Sequence, residues 1–185
     1  MRRRLPSFLF VLRALLEVFT TDAQGTQRLF GWRGRLWRYG PLVMWVCFVL
    51  FASTANFSAS NTSRIIRPLL LWLFPDISEA SLDQVHFIVR KTAHFTEYAL
   101  LALLAARAFR TSSIARLRRL WPLVAFALVA SVALLDEYHQ SFVPSRTGTI
   151  YDSLLDMTGG ATALACVALW LRSRRRKADN VVRFD

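Results

Sequence analysis

Cysteine is almost missing from this chain, and acidic residues are scarce. The two thiols, Cys47 and Cys166, both lie inside apolar runs with no partner at metal-ligand spacing, so no cysteine-ligated metal centre follows and both read as small buried hydrophobes. Asp and Glu total 12 against 24 Lys and Arg, a formal net charge of +12. Equally absent are the short motifs that announce common chemistry. There is no His-Glu-x-x-His, no Gly-x-Ser-x-Gly elbow and no glycine loop for phosphate. No known enzyme class is therefore selected, and no cofactor is named.

What is present is apolar residue in long blocks. Hydrophobic types make up 54% of 185 residues, enough for one membrane domain. A strongly basic chain could bind nucleic acid, but these basic residues sit in short clusters flanking the apolar blocks rather than on one soluble face. The lipid bilayer is the expected partner, and nucleic acid is not.

Taken in order, residues 1–40 form a basic arm. Its first part, Arg2-Arg3-Arg4 followed by Leu5 to Leu12, looks like a signal peptide, but Arg13 and Glu17 interrupt the apolar stretch. An amphipathic helix on the inner membrane surface fits better. The first span is expected from about Pro41 to Ala55. A Ser/Asn-rich polar segment follows, with glycosylation-like triplets at Asn56 and Asn61 that arise easily in such composition. Ile65 to Phe74 is apolar but too short to cross, which predicts a re-entrant or interfacial helix. Capping signals at Asp76–Glu79 and Ser81–Gln84 lead into a second span, Leu82 to Ala108. A basic link, Arg110–Arg119, separates it from a third span that starts at Leu120 and continues to a stop at Pro144. The fourth covers Ile150 to Leu171, and 172–185 is a basic tail. The expected fold is thus all-α and polytopic: four transmembrane helices in a domain covering 41–171, with a short re-entrant or interfacial helix between the first and second.

Four spans place both termini on one side, and charge chooses which. Lys and Arg divide 19 to 5 in favour of the side carrying the termini. The positive-inside rule makes that side cytoplasmic.

Charge inside an apolar helix is costly, which singles out Arg90-Lys91-Thr92-Ala93-His94-Phe95-Thr96-Glu97-Tyr98. At about 100° per residue, Arg90, His94, Glu97 and Leu101 share a line, flanked by Lys91 and Tyr98. The topology brings three groups to the outer end: this one, then Asp136, Glu137, His139 and Gln140 closing the third span, then Asp152 and Asp156 opening the fourth. Asp152, Asp156, Gly159 and Ala163 share a face, and the small residues invite a close neighbour.

Several chemistries suit this constellation. His94, Glu97, Asp136, Glu137, Asp152 and Asp156 are the candidates for proton transfer, while Arg90, Lys91, Tyr98, His139, Gln140 and Arg146 are candidate ligand contacts, the basic ones for a phosphate or carboxylate. His94, Glu97, His139 and the acids could instead hold a divalent metal, since His-x-x-Glu sets two ligands one turn apart. A proton or ion relay for a small carrier is a third reading. The plainest is structural: Arg90 and Lys91 pair with Asp136 or Asp152 and pin the bundle. The residues do not choose between catalysis and binding, and oligomeric state is open.

Together, "RKTAHFTEY" (90–98), "LDEYHQSFVPSRTGTIYDSLLDMTGG" (135–160) and the polar loop ending at Arg64 resemble the VanZ-like family of bacterial membrane proteins. The likeness covers about Pro41 to Leu171. Ser145 stands where the family often has Gly, and the N-terminal arm lies outside the shared core. The family is named for a glycopeptide-resistance protein associated with teicoplanin. The resemblance implies a small multi-pass protein of the bacterial plasma (inner) membrane with a role in the cell envelope; the charged cluster, on the outer side by the charge count, is expected to be a site that recognises or modifies an envelope or lipid-linked molecule.

Overall fold

The computed structural model describes residues 32–53, 59–142 and 149–182. Expectations for the N-terminal arm up to residue 31, for the Asn56 triplet and for Arg146 lie outside these residues. Six helices follow in order: α1 (Trp32–Ala52), α2 (Ala59–Leu73), α3 (Glu79–Arg110), α4 (Ala115–Arg119), α5 (Trp121–Gln140) and α6 (Ile150–Val182). No strand occurs among the described residues.

Three helices are long and apolar enough to cross a membrane: α1, α5, and α6 over Ile150–Arg176. The four expected spans thus meet three that qualify by length and composition. α3 is longer than α1 or α5, but its N-terminal two-thirds carry Glu79, Asp83, Arg90, Lys91 and Glu97. The expected re-entrant segment lies within α2, a helix that begins six residues before Ile65.

Several helix ends differ from the sequence-based expectation, each for a local reason. α1 begins at Trp32, nine residues before the expected span start at Pro41, which lies inside the helix. Proline lacks the N–H that would bond to Trp37 O four residues back. Arg107 Nη1 of α3 donates to that carbonyl at 3.2 Å, so the acceptor is served from outside its own helix. α3 starts at Glu79, because Ser78 caps it by accepting from Ser81 N at 3.2 Å. α5 ends at Gln140, before Pro144. α6 continues through the basic run from Arg172 to Val182, so those charges ride on a helix rather than on a separate tail.

α3, α5 and α6 form the main bundle, with α1 against α3 and α2 alongside the start of α3. Contacts advance together along α3 and α6: Lys91 meets Asp152, His94 meets Asp156 and Phe95 abuts Gly159. These two helices therefore run parallel. α1 runs against α3, since Trp45 Nε1 donates to Glu97 O at 3.1 Å while Tyr39 OH donates to Ser112 Oγ at 2.8 Å.

Small side chains let the backbones approach. Ala102, Ala105, Ala106 and Ala108 of α3, Ala125 and Ala133 of α5 and Ala163 of α6 lie in one buried core with Tyr98, Leu101 and Val129. Two adjacent glycines on α6 make the tightest seams. A Cβ at Gly159 would lie 2.4 Å from Phe95 O on α3, and one at Gly160 would lie 2.6 Å from Val129 Cγ1 on α5. The shared small-residue face expected around Gly159 is thus a real helix seam.

Elsewhere large apolar side chains stay uncovered, among them Met44, Trp72, Phe87 and Leu123. Such a surface is at home in lipid. Cys47 and Cys166 belong to this surface: both are exposed, not buried as expected, because among the described residues no helix covers their flank of α1 and α6.

Candidate functional site

The parallel pairing of α3 with α6, and α5 between them, gathers the charged residues at the end of the bundle where α3 and α6 begin. His94 comes from about the fifth turn of α3, on its polar stripe, Asp136 and Gln140 from successive turns at the end of α5, and Asp152 and Asp156 from the first two turns of α6. Acids near the start of α6 also face the positive end of its helix dipole.

Three of these side chains converge. One ligand atom each from His94, Asp136 and Asp156 lies within 4.8 Å of the other two, and His94 Nδ1 is 3.5 Å from Asp156 Oδ1. Asp156 is wholly buried, and beyond the His94 ring neither of its oxygens has a donor nearby in hydrogen-bond geometry among the described residues. Asp136 is held on one side only. Its Oδ2 accepts from Tyr98 OH at 3.2 Å and from Gln140 Nε2 at 2.9 Å, while Oδ1 accepts nothing. Tyr98 and Gln140 are themselves buried and so fix the carboxylate's orientation.

Glu137 is buried beside these groups, and neither of its oxygens meets a donor in hydrogen-bond geometry among the described residues. It faces the fields of Asp152, Asp136 and Asp156. Glu97 is close enough to act electrostatically on both His94 and Tyr98. One turn toward the helix starts, Lys91 closes an ion pair with Asp152. This matches one of the two pairings expected for a structural role. No ion pair joins Arg90 to any of these acids among the described residues.

The remaining expected site residue, His139, lies apart. It is exposed, and its Nδ1 is 3.3 Å from Ser53 Oγ at the end of α1. Ser53 was not singled out by sequence, nor was Ser153, a buried hydroxyl that donates to Ala133 O at 3.4 Å. Ser153 immediately follows Asp152, yet a serine in an apolar helix gives no sign of which backbone it serves. Ser53 opens the Ser/Asn-rich polar segment, whose composition suits water or protein equally and so names no partner.

Residues 38–171, most of the chain and all of this cluster, match the model of the VanZ/LLP1 family. The chain belongs to the VanZ/LLP1 family. As a VanZ/LLP1 protein it carries the first quoted motif on α3 and the ends of the second on α5 and α6, the helices that build the cluster, and the match confirms the resemblance read from sequence. No curated protein matches the chain, and no solved structure does.

Chemically, the centre is rich in acceptors and poor in donors. Among the described residues, Asp136 Oδ1 and both oxygens of Glu137 and of Asp156 lack a donor in full hydrogen-bond geometry, although the His94 ring stands by Asp156 and the Thr149 backbone N–H by Glu137. Each ionised carboxylate costs several kcal/mol to bury unless something positive or hydrogen-donating meets it, on the order of magnitude seen for isolated buried ions. The nearby Lys91 is already engaged by Asp152. The cluster is therefore built to receive donors or cations.

Proposed function

We propose that this VanZ/LLP1 protein is a four-span protein of the bacterial inner membrane whose polar centre binds the donor-bearing head of an envelope or lipid-linked molecule. α3 supplies the fourth span: at 32 residues it is about 48 Å long, ample for a hydrocarbon layer of about 30 Å even with its charged part near the interface. α2 lies at that interface as a short re-entrant or surface helix. The 19-to-5 division of basic residues orients the start of α3 and α6 outward and the termini toward the cytoplasm. On this orientation the centre opens toward the leaflet where envelope precursors are displayed.

One observation carries the reading: three neighbouring acids, Asp136, Glu137 and Asp156, are buried together, and His94 is the one side chain that an ion pair joins to any of them among the described residues. A bundle held only by charge would give each acid a cation, as Lys91 answers Asp152. Unmet acceptors suit hydroxyl and amine groups of a sugar or peptide head. The basic groups expected to hold an anion stand further out, with Lys91 already paired and Arg90 half-buried. Turnover adds a second requirement, a proton carrier, for which His94 beside Asp156 is placed.

Native mass spectrometry of the full-length protein taken from membranes, wild type beside Asp136→Asn, tests the reading. A bound envelope species in wild type that is lost in the variant is the expected result. Equal lipid profiles in two equally stable proteins would remove it. Where the ligand is a cell-wall precursor, wild type protects a susceptible host from teicoplanin and Asp136→Asn does not.

A further inference from the structure

We infer that His94, Asp136 and Asp156 form a binding site for one divalent transition-metal cation. The inference rests on the reading of this cluster as a working site and adds to it the ion that would sit there.

Geometry comes first. The three ligand atoms lie within 4.8 Å of one another, and the His94 Nδ1 to Asp156 Oδ1 separation of 3.5 Å is close to the edge of a coordination tetrahedron with bonds of about 2.1 Å. The Asp136 ligand atom lies no more than 4.8 Å from the other two, so an inward movement of at most about 1.4 Å completes a three-residue face. Such a face leaves further coordination positions for water or a ligand group.

The surroundings fit as well. Ligating carboxylates are normally oriented by hydrogen bonds to their other oxygen. Asp136 has that arrangement, with Oδ2 held by Tyr98 OH and Gln140 Nε2 and Oδ1 left without a donor. Asp156 is fully buried, His94 is largely so, and His94 Nδ1 likewise lacks a hydrogen-bond partner. Charge points the same way. Two buried carboxylates ask for two positive charges; a protonated His94 supplies one, whereas a divalent ion supplies both and leaves the imidazole neutral.

Ligand type narrows the ion. An imidazole nitrogen with carboxylate oxygens suits Zn²⁺, Mn²⁺, Co²⁺ or Fe²⁺ better than Ca²⁺ or Mg²⁺, which prefer all-oxygen cages. The backbones hold the face together, since Gly159 brings α6 onto α3 at Phe95, the residue after His94.

The test uses the full-length protein in detergent, stripped with a chelator and then given Zn²⁺ or Mn²⁺ alone. One equivalent should bind, and Zn²⁺ at about a hundred times its dissociation constant should raise the melting temperature by about 5–10 °C. Asp156→Asn and His94→Gln should each weaken binding by at least about 100-fold, consistent with loss of a ligand. Asp83→Asn, at an exposed acid near the start of α3, should retain it.

Should a variant fail to fold, wild type labelled with ¹⁵N-histidine gives an independent answer: bound Mn²⁺ must show magnetic coupling to an imidazole nitrogen. No stoichiometric metal, no melting shift, or binding undiminished in folded Asp156→Asn overturns the inference in favour of a His94–Asp156 ion pair. Its failure is separable from that of the envelope reading, because a lipid species lost in Asp136→Asn without any metal would leave that reading intact.

Discussion

Replacing Gly159 with alanine tests whether the α3–α6 seam sets both the stability of the bundle and the geometry of its centre. The added Cβ would lie 2.4 Å from Phe95 O, 3.1 Å from its carbonyl carbon and 3.2 Å from its Cα, whereas ordinary contact begins at 3.4 Å. All three atoms are backbone, so no side-chain rotation relieves them. α3 must move off α6 by about 1 Å. Overpacking of this kind costs about 2–3 kcal/mol where nothing can rotate away. Alanine's helix preference over glycine offsets about 1 kcal/mol of it. The net loss of about 1–2 kcal/mol lowers the melting temperature by about 2–8 °C for a chain of this length. The movement also opens the 3.5 Å approach of His94 to Asp156, so ligand or metal binding should fall by more than the stability loss accounts for. Gly40→Ala is the control, because its Cβ meets only Leu36 of its own helix at 3.6 and 3.9 Å. That variant should match or slightly exceed wild type. A Gly159→Ala protein that melts at or above wild type would refute the reasoning about the seam.

Three further outcomes follow from separate contacts. Lys91→Met should destabilise the protein by about 1–2 kcal/mol, less than a fully buried pair because both side chains keep some exposure, and Lys91→Met with Asp152→Asn should recover most of it; a double mutant as unstable as the sum of the singles would show that the pair is not coupled. Arg107→Ala should cost about 1 kcal/mol through the Trp37 carbonyl, and less in a Pro41→Ala background, where the helix supplies its own N–H; equal losses in both backgrounds would dissociate Arg107 from the proline. In a protein freed of Cys47 and Cys166, a cysteine at Phe142 should react with a membrane-impermeant thiol reagent added outside intact cells, and one at Trp32 should not; the reverse pattern would invert the proposed orientation.

Much of the architecture was legible because long apolar blocks and their basic flanks report helices and their order directly. The convergence of His94, Asp136 and Asp156 was also legible in outline, since a 3.6-residue period places Asp156 and Gly159 on one face and His94 on the polar stripe of another helix. Partners were not. Periodicity assigns a side chain to a face but not to a neighbour, so Lys91 had two candidate acids and pairs with Asp152, while Asp136 is held instead by Tyr98 and Gln140. Pro41 misled as a span start because its missing bond is compensated by Arg107, 66 positions further along the chain. The exposure of both cysteines escaped for a related reason: apolar sequence looks the same whether a helix or lipid will cover it.

The contacts of Lys91 with Asp152, His94 with Asp156 and Phe95 with Gly159 are successive teeth of one rack, all advancing in the same direction along two helices. A rack of this kind cannot slip by a single tooth at one place only. Turning or sliding α6 by one residue would separate the ion pair and carry Asp156 away from His94 together, and in one direction it would also set Thr158 in place of Gly159 against Phe95. The register of the two helices and the geometry of the centre are therefore one mechanical quantity, and neither shifts without the other.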